Sequence, residues 1–107
     1  MITLNDITGF EWDEGNAGKN FRKHGITDKE SEEAFKSNVF IVLKTSYLDE
    51  ERFQLFGESM KRKTTVIFTI RKNKIRIISA REMSRKERNY YEEKLKQEAK
   101  ADPGIQK

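Results

Sequence analysis

Two stretches of the chain gather cations together with groups that titrate or stack. "FEWDEGNAGKNFRKHGI" (10–26) holds Lys19, Arg22, Lys23 and the only histidine, His24; "KIRIISAREMSRKERNYYE" (74–92) holds Arg76, Arg81, Arg85, Lys86 and Arg88. Arginine forks match phosphate oxygens two at a time, so a surface built from both stretches would suit a polyanion. Arg76 is the most demanding of these residues. A guanidinium placed mid-strand among isoleucines must either find a carboxylate, such as Glu11 or one on a neighbouring strand, or line an exposed face. Arg81, just past it, would leave the same end of the sheet, and two forks converging there repel each other unless an anion lies between them. For Lys19, Lys23, Lys86 and Arg88 taken singly, a solvated face is the plainer reading.

A histidine imidazole can serve as acid or base near neutral pH, and His24 is the chain's only one. It shares a helical face with Ala17 and Phe21, which suits a half-buried structural imidazole equally well. Glu11 and Trp12 alternate on a short strand. Trp12 is most simply core, although an exposed indole could stack on a base. Tyr90 and Tyr91 are adjacent on a helix and must face differently; Tyr90 is the freer to meet a ligand. The chain has no glycine-rich phosphate loop, serine elbow or paired-carboxylate motif. Two classes remain open on these residues: a module that binds or cleaves RNA on an open sheet, and a non-enzymatic protein-interaction domain.

The elements that must position these side chains can be read from periodicity. "GFEW" gives a short strand ending at Asp13, which caps a helix from Glu14 to His24, with Gly25 as its stop. At about 100° per residue, Ala17, Phe21 and His24 form its apolar face, with Asn16, Lys19, Asn20 and Lys23 on another. Thr27 and Glu30 form a capping box for a second helix to about Lys36, with Ala34 and Phe35 as its apolar contact and Ser37-Asn38 as its close. The period then changes to that of strands: 39–45, 51–59, 63–71 and 74–80, rich in β-branched and aromatic residues, with Asn73 in a tight hairpin turn. Strict alternation sets Ile75, Ile77 and Ser79 opposite Arg76, Ile78 and Ala80. Ser84 and Glu87 cap a last helix to about Lys100, docked through Tyr91, Leu95 and Ala99. The expected fold is α+β, in the order β-α-α-β-β-β-β-α, with helices on one antiparallel sheet whose other face is partly open.

Composition bounds the rest. A chain of 107 residues supports one core, hence a single domain over 1–107, with 1–8 and the tail 101–107 loosely held. The net charge of +4 and pI near 9.3 suit an anionic partner without requiring one. With no cysteine and one histidine, a disulfide or a Cys/His metal cluster is not expected, and chemistry without metal or cofactor is. The start lacks a signal-peptide pattern and no apolar run could span a bilayer, so a cytoplasmic location and no membrane contact are expected.

In order and spacing over 10–92, "FEWDEGNAGKNFRKHGIT", "ERFQLFGES" and "KIRIISAREMSRKERNYYE" resemble the BrnT family of type II toxin-antitoxin toxins. The combination carries the resemblance: FEWD, a Lys-Asn pair shortly before His-Gly, and "RIISAR" followed by Glu-Arg and Tyr-Glu. Gly15, where a first-turn proline is expected, and the basic turn at 61–63 depart from the pattern. The resemblance implies a RelE-like fold, a ribonuclease that blocks translation, and a cognate BrnA-like ribbon-helix-helix antitoxin through which alone DNA would be touched. Such folds suggest attack of a ribose 2′-hydroxyl on the neighbouring phosphate, with preorganised cations stabilising the phosphorane. On that basis Arg76 and Arg81 would stabilise it, and His24 would be acid or base, with Lys19 or Glu11 as alternates. Arg52 and Arg85 would position flanking phosphates, with Trp12, Lys23 and Tyr90 as further RNA contacts. His24 and Arg81 are thus expected to meet around one phosphodiester. The rival reading is a catalytically inactive protein that binds its antitoxin and co-represses; a DNA-binding domain lacks a recognition helix.

Overall fold

The computed structural model describes residues 8–36, 41–47, 50–59 and 61–101. Its elements are β1 (Gly9–Phe10), α1 (Lys19–His24), α2 (Asp28–Glu33) continued by a 3-10 turn (Ala34–Lys36), β2 (Ile41–Tyr47), β3 (Glu50–Glu58), β4 (Lys63–Arg71), β5 (Lys74–Glu82) and α3 (Arg85–Ala101). The α+β order is the expected one. The sheet is mixed rather than wholly antiparallel: in the order β1-β5-β4-β3-β2, the short β1 runs parallel to β5. Between them α1 and α2 carry the chain to β2 at the far edge, and the β2–β4 meander returns it to β5, the long crossover that parallel strands need.

Local chemistry explains the boundaries. Lys72 and Asn73 both take positive φ, the backbone of a two-residue hairpin turn matched to strand twist, and so join β4 to β5. Thr27 accepts the Glu30 amide at 3.0 Å to open α2. Ser84 and Glu87 exchange amide bonds, at 2.9 and 3.2 Å, to open α3. The first helix is shorter than its periodicity suggests. Asp13 caps a turn, accepting the Gly15 amide, and Gly18 at φ 70° interrupts the chain, so α1 begins only at Lys19. Gly25, at φ 74°, ends it as expected. The buried face is also inverted: Asn16 and Asn20 are buried, while Phe21 is 58% exposed and His24 exposed. Asn16 earns that place by bonding Nδ2 to the carbonyls of Glu11 and Ile77, which ties the 13–18 turn to β5. Ser37 and Asn38, and strand residues 39 and 40, lie outside the described residues.

One face of the sheet holds the main core. Leu55, Val66, Phe68, Ile75, Ile77 and Ala80 pack there under Ile26 and Ala34, with Phe10, Trp12 and Phe35 at its margin. Phe35 stands edge-on to both Phe10 and Phe68, at 5.4 and 4.9 Å between ring centres. Ala80 belongs to this face because β5 carries a bulge: Ile67 pairs with Ser79 but Phe68 with Ile77, leaving Ile78 unpaired. The extra residue resets alternation. Strict alternation placed Ala80 with Arg76; instead Ala80 joins Ile77, and Ser79 and Arg81 join Arg76 on the second face. That face also carries Arg52, Gln54 and Phe56 of β3, and Thr65, Ile67 and Thr69 of β4. Its Phe56 end is covered by Met83, just before α3, and by Tyr91, Tyr90 and Leu95 of α3. Among the described residues no helix is long and apolar enough to cross a membrane.

Candidate functional site

The second sheet face brings Arg52, Arg76 and Arg81 together with polar side chains. Arg76 and Arg81 pair with Thr69 and Thr65 across the ladder, four residues apart on β4 and so roughly 13 Å apart along the sheet. They do not converge on one point. Arg76 turns toward the β1 edge, where it donates to both oxygens of Asp13 at 2.9 and 3.0 Å and to Glu11 at 3.3 Å. The Asp13 carboxyl is held below its usual range by the Arg76 hydrogen bonds and the Gly15 amide. Gly15 permits this close approach, because a Cβ there would lie 2.7 Å from Arg76 Nη2. The departure from a proline at this position therefore makes room for a guanidinium.

Arg81 turns the other way, toward α3. It forms a two-pronged pair with Glu87 at 2.7 and 2.8 Å. Burial pushes the Glu87 carboxyl up, and hydrogen bonds from Arg81 and Ser84 outweigh it, leaving the group below its usual range. Glu87 thus caps α3 and holds Arg81 with one carboxylate. Its capping role is legible from spacing, whereas its hold on Arg81 depends on the bulge. Gln54 Nε2 adds a long bond to the same carboxylate at 3.4 Å.

The remaining candidates are dispersed. Arg52 lies on the same face and pairs with Glu50 at 3.1 Å. Arg85 is exposed on the first turn of α3, and Tyr90 is half-buried against Phe56 at 5.5 Å. Trp12 packs on the main core and donates its indole N–H to Glu32 at 2.7 Å. Lys19 is half-buried, and Lys23 and His24 are exposed, on α1. Ile26, two residues past that helix, is fully buried in the main core. Arg76 and Arg81 do not form the single cradle expected around one phosphodiester, because each is drawn to its own carboxylate, Asp13 or Glu87.

Sequence reasoning missed Asp13 as the chief partner of Arg76. The signal was present in the FEWD stretch, where it reads first as a helix cap. It also missed the buried pair Glu30–Arg62, which joins α2 to the β3–β4 turn at 2.8 and 3.2 Å with Ser59 as a third member. This pair and the Lys63–Glu92 contact at 2.9 Å give the basic turn at 61–63 a structural use.

No curated protein matches the chain in sequence. The family model described as the ribonuclease toxin BrnT of type II toxin-antitoxin systems matches residues 12–87, from the Trp12 indole through the Arg81–Glu87 pair. That span takes in α1, α2, the four long strands and the capping turn of α3. The chain therefore belongs to the BrnT family of ribonuclease toxins.

Proposed function

We propose that the chain is an endoribonuclease that works without metal and lays RNA along the second sheet face. The observation that carries this reading is the bulge at Ile78, which turns Arg76, Ser79 and Arg81 to one side, beside Arg52 and away from the main core. In the proposed step a ribose 2′-oxygen bonds to the neighbouring phosphorus, its proton passing to Glu11, 3.3 Å from Arg76. The phosphorus–5′-oxygen bond breaks, leaving a 2′,3′-cyclic phosphate, and the departing oxygen takes a proton from His24, with Lys19 of the same helix as the alternate donor. Arg76 and Arg81 stabilise the charge that develops on phosphorane and flanking phosphate, which counts most where the donors are already oriented. Arg52, Arg85 and Lys23 contact flanking phosphates and supply affinity without sequence reading. Cleavage of this kind inhibits translation in the cytoplasm. A BrnA-like ribbon-helix-helix antitoxin silences it by covering the same cations, and DNA is reached only through that partner.

A second reading is favoured by the ion pairs themselves. Both guanidinium groups already hold resident carboxylates, as they would in a catalytically inactive protein that only binds its antitoxin. Incubating RNA with the purified chain in EDTA, beside Arg76→Ala and Arg81→Ala, separates the two. The enzyme reading expects cyclic phosphate ends from the parent and loss of roughly 10²- to 10³-fold in rate in each variant. RNA that survives equally in all tubes supports the binder.

A further inference from the structure

An open groove of about 390 Å³ runs between β2–β3 and α3, lined by Leu43, Gln54, Phe56, Lys86, Glu87 and Tyr90. Its volume is within the range of small-ligand sites. Its walls are mainly apolar and aromatic, and Leu43 at its rim is 38% exposed, one of three large apolar side chains so exposed among the described residues. Tyr90 leans on Phe56 with ring planes 57° apart and has Lys94 Nζ over its ring at 5.7 Å, so a base stacked there displaces that cation or shares the ring with it. The groove adjoins the proposed RNA face directly, because Glu87 both lines it and holds Arg81.

Gln54 adds a polar contact of defined sense. The Glu87 carboxylate can only accept, so the Gln54 amide nitrogen must be the atom that faces it, at 3.4 Å, with Thr65 as a second acceptor at 3.3 Å. The amide oxygen therefore points elsewhere, and no described residue donates to it. A flat, partly apolar group with an N–H on its edge, attached to a negative chain that passes Lys86 and Arg81, is what this surface complements. We infer that the groove is a nucleobase subsite: it takes one unstacked base of the RNA whose backbone crosses Arg81, stacked by Tyr90 and Leu43, with Gln54 Oε1 accepting from the base edge. This inference rests on the RNA-cleaving reading and names what that site recognises besides phosphate. The competing occupant is an apolar side chain of the antitoxin.

The test uses 2′-O-methyl oligonucleotides, which lack the attacking hydroxyl, with a single abasic position moved along the strand. Binding is followed by fluorescence anisotropy with the full chain, Tyr90→Ala and Leu43→Ser, the last altering an exposed side chain so that folding is preserved. At one or two positions, loss of the base should weaken binding to the parent by roughly 5- to 150-fold. In both variants that penalty should shrink toward none, since the stacking partner is already gone. Equal binding of every abasic strand by the parent overturns the subsite while leaving RNA binding intact, as does an undiminished penalty in both variants. Variants that lose antitoxin binding but keep the base penalty assign the groove to the antitoxin and also overturn it. Failure of the parent to bind the unmodified strand overturns the subsite and the RNA reading together.

Discussion

Arg76 and Arg81 leave one strand on one face and each closes a two-pronged carboxylate pair, yet the two pairs are built for different purposes. The partner of Arg76 is Asp13, whose side chain is 57% exposed on a turn at the edge of the sheet. The partner of Arg81 is Glu87, 17% exposed and bound at the same time to the first turn of α3. An exposed pair contributes little to stability, because water and salt compete for both charges. A half-buried one that also caps a helix cannot be released without leaving polar groups unsatisfied. The edge pair sets an exposed carboxylate against an Arg76 side chain only 15% exposed, and the helix pair sets a half-buried carboxylate against an Arg81 side chain 39% exposed. On the proposed reading, a substrate phosphate replaces the exposed Asp13 at Arg76, whereas at Arg81 it adds to a guanidinium that Glu87 keeps anchored.

The largest expected effect tests whether both cations serve chemistry at all. Cleavage by Arg76→Ala should fall roughly 10²- to 10³-fold with the melting temperature nearly unchanged. Arg81→Ala should lose a similar rate and also melt earlier. Equal melting of the two variants would erase the distinction drawn between the pairs. Next in size, Glu87→Ala removes the cap and the Arg81 anchor together, and should cost about 1–2 kcal/mol in denaturant unfolding. Asp13→Ala should leave the denaturation midpoint near that of the parent.

A smaller effect concerns exchange at the edge. Asp13→Asn keeps an oxygen for the Gly15 amide but weakens the hold on Arg76, and should tighten RNA binding up to about fivefold at low salt. Glu14→Gln changes the net charge equally on the same turn without touching Arg76, so matching gains in both variants would reduce the effect to overall charge. The smallest effect is on acid stability. Glu87 has a folded pKa below its ordinary value, so its contribution to stability is complete above about pH 4.3 and is lost as the pH falls through the folded value. Acid titration of Glu87→Gln should show a shallower loss below that pH than the parent does; an identical slope would mean that the pair contributes nothing.

The short-range features of the fold were legible in the sequence. The hairpin at Asn73, the capping boxes at Thr27 and Ser84 and the stop at Gly25 follow from φ preferences and from amides that need an acceptor within three residues. The first helix misled, because a period of 3.6 cannot say which face a six-residue helix buries. Asn16 went inward because backbone carbonyls of Glu11 and of the distant Ile77 lay within its reach, whereas Asn20 is buried with its Nδ2 unpartnered among the described residues. Trp12 was legible as core but not its bond to Glu32.

By itself, then, the amino-acid sequence determined the α+β order, the strand residues and the cations, because each rests on chemistry between near neighbours. Only the tertiary structure decided which cations share a surface. One unpaired residue, Ile78, turns Arg81 to the side of Arg76. That outcome depends on pairing with β4, a contact across many residues that no local pattern encodes.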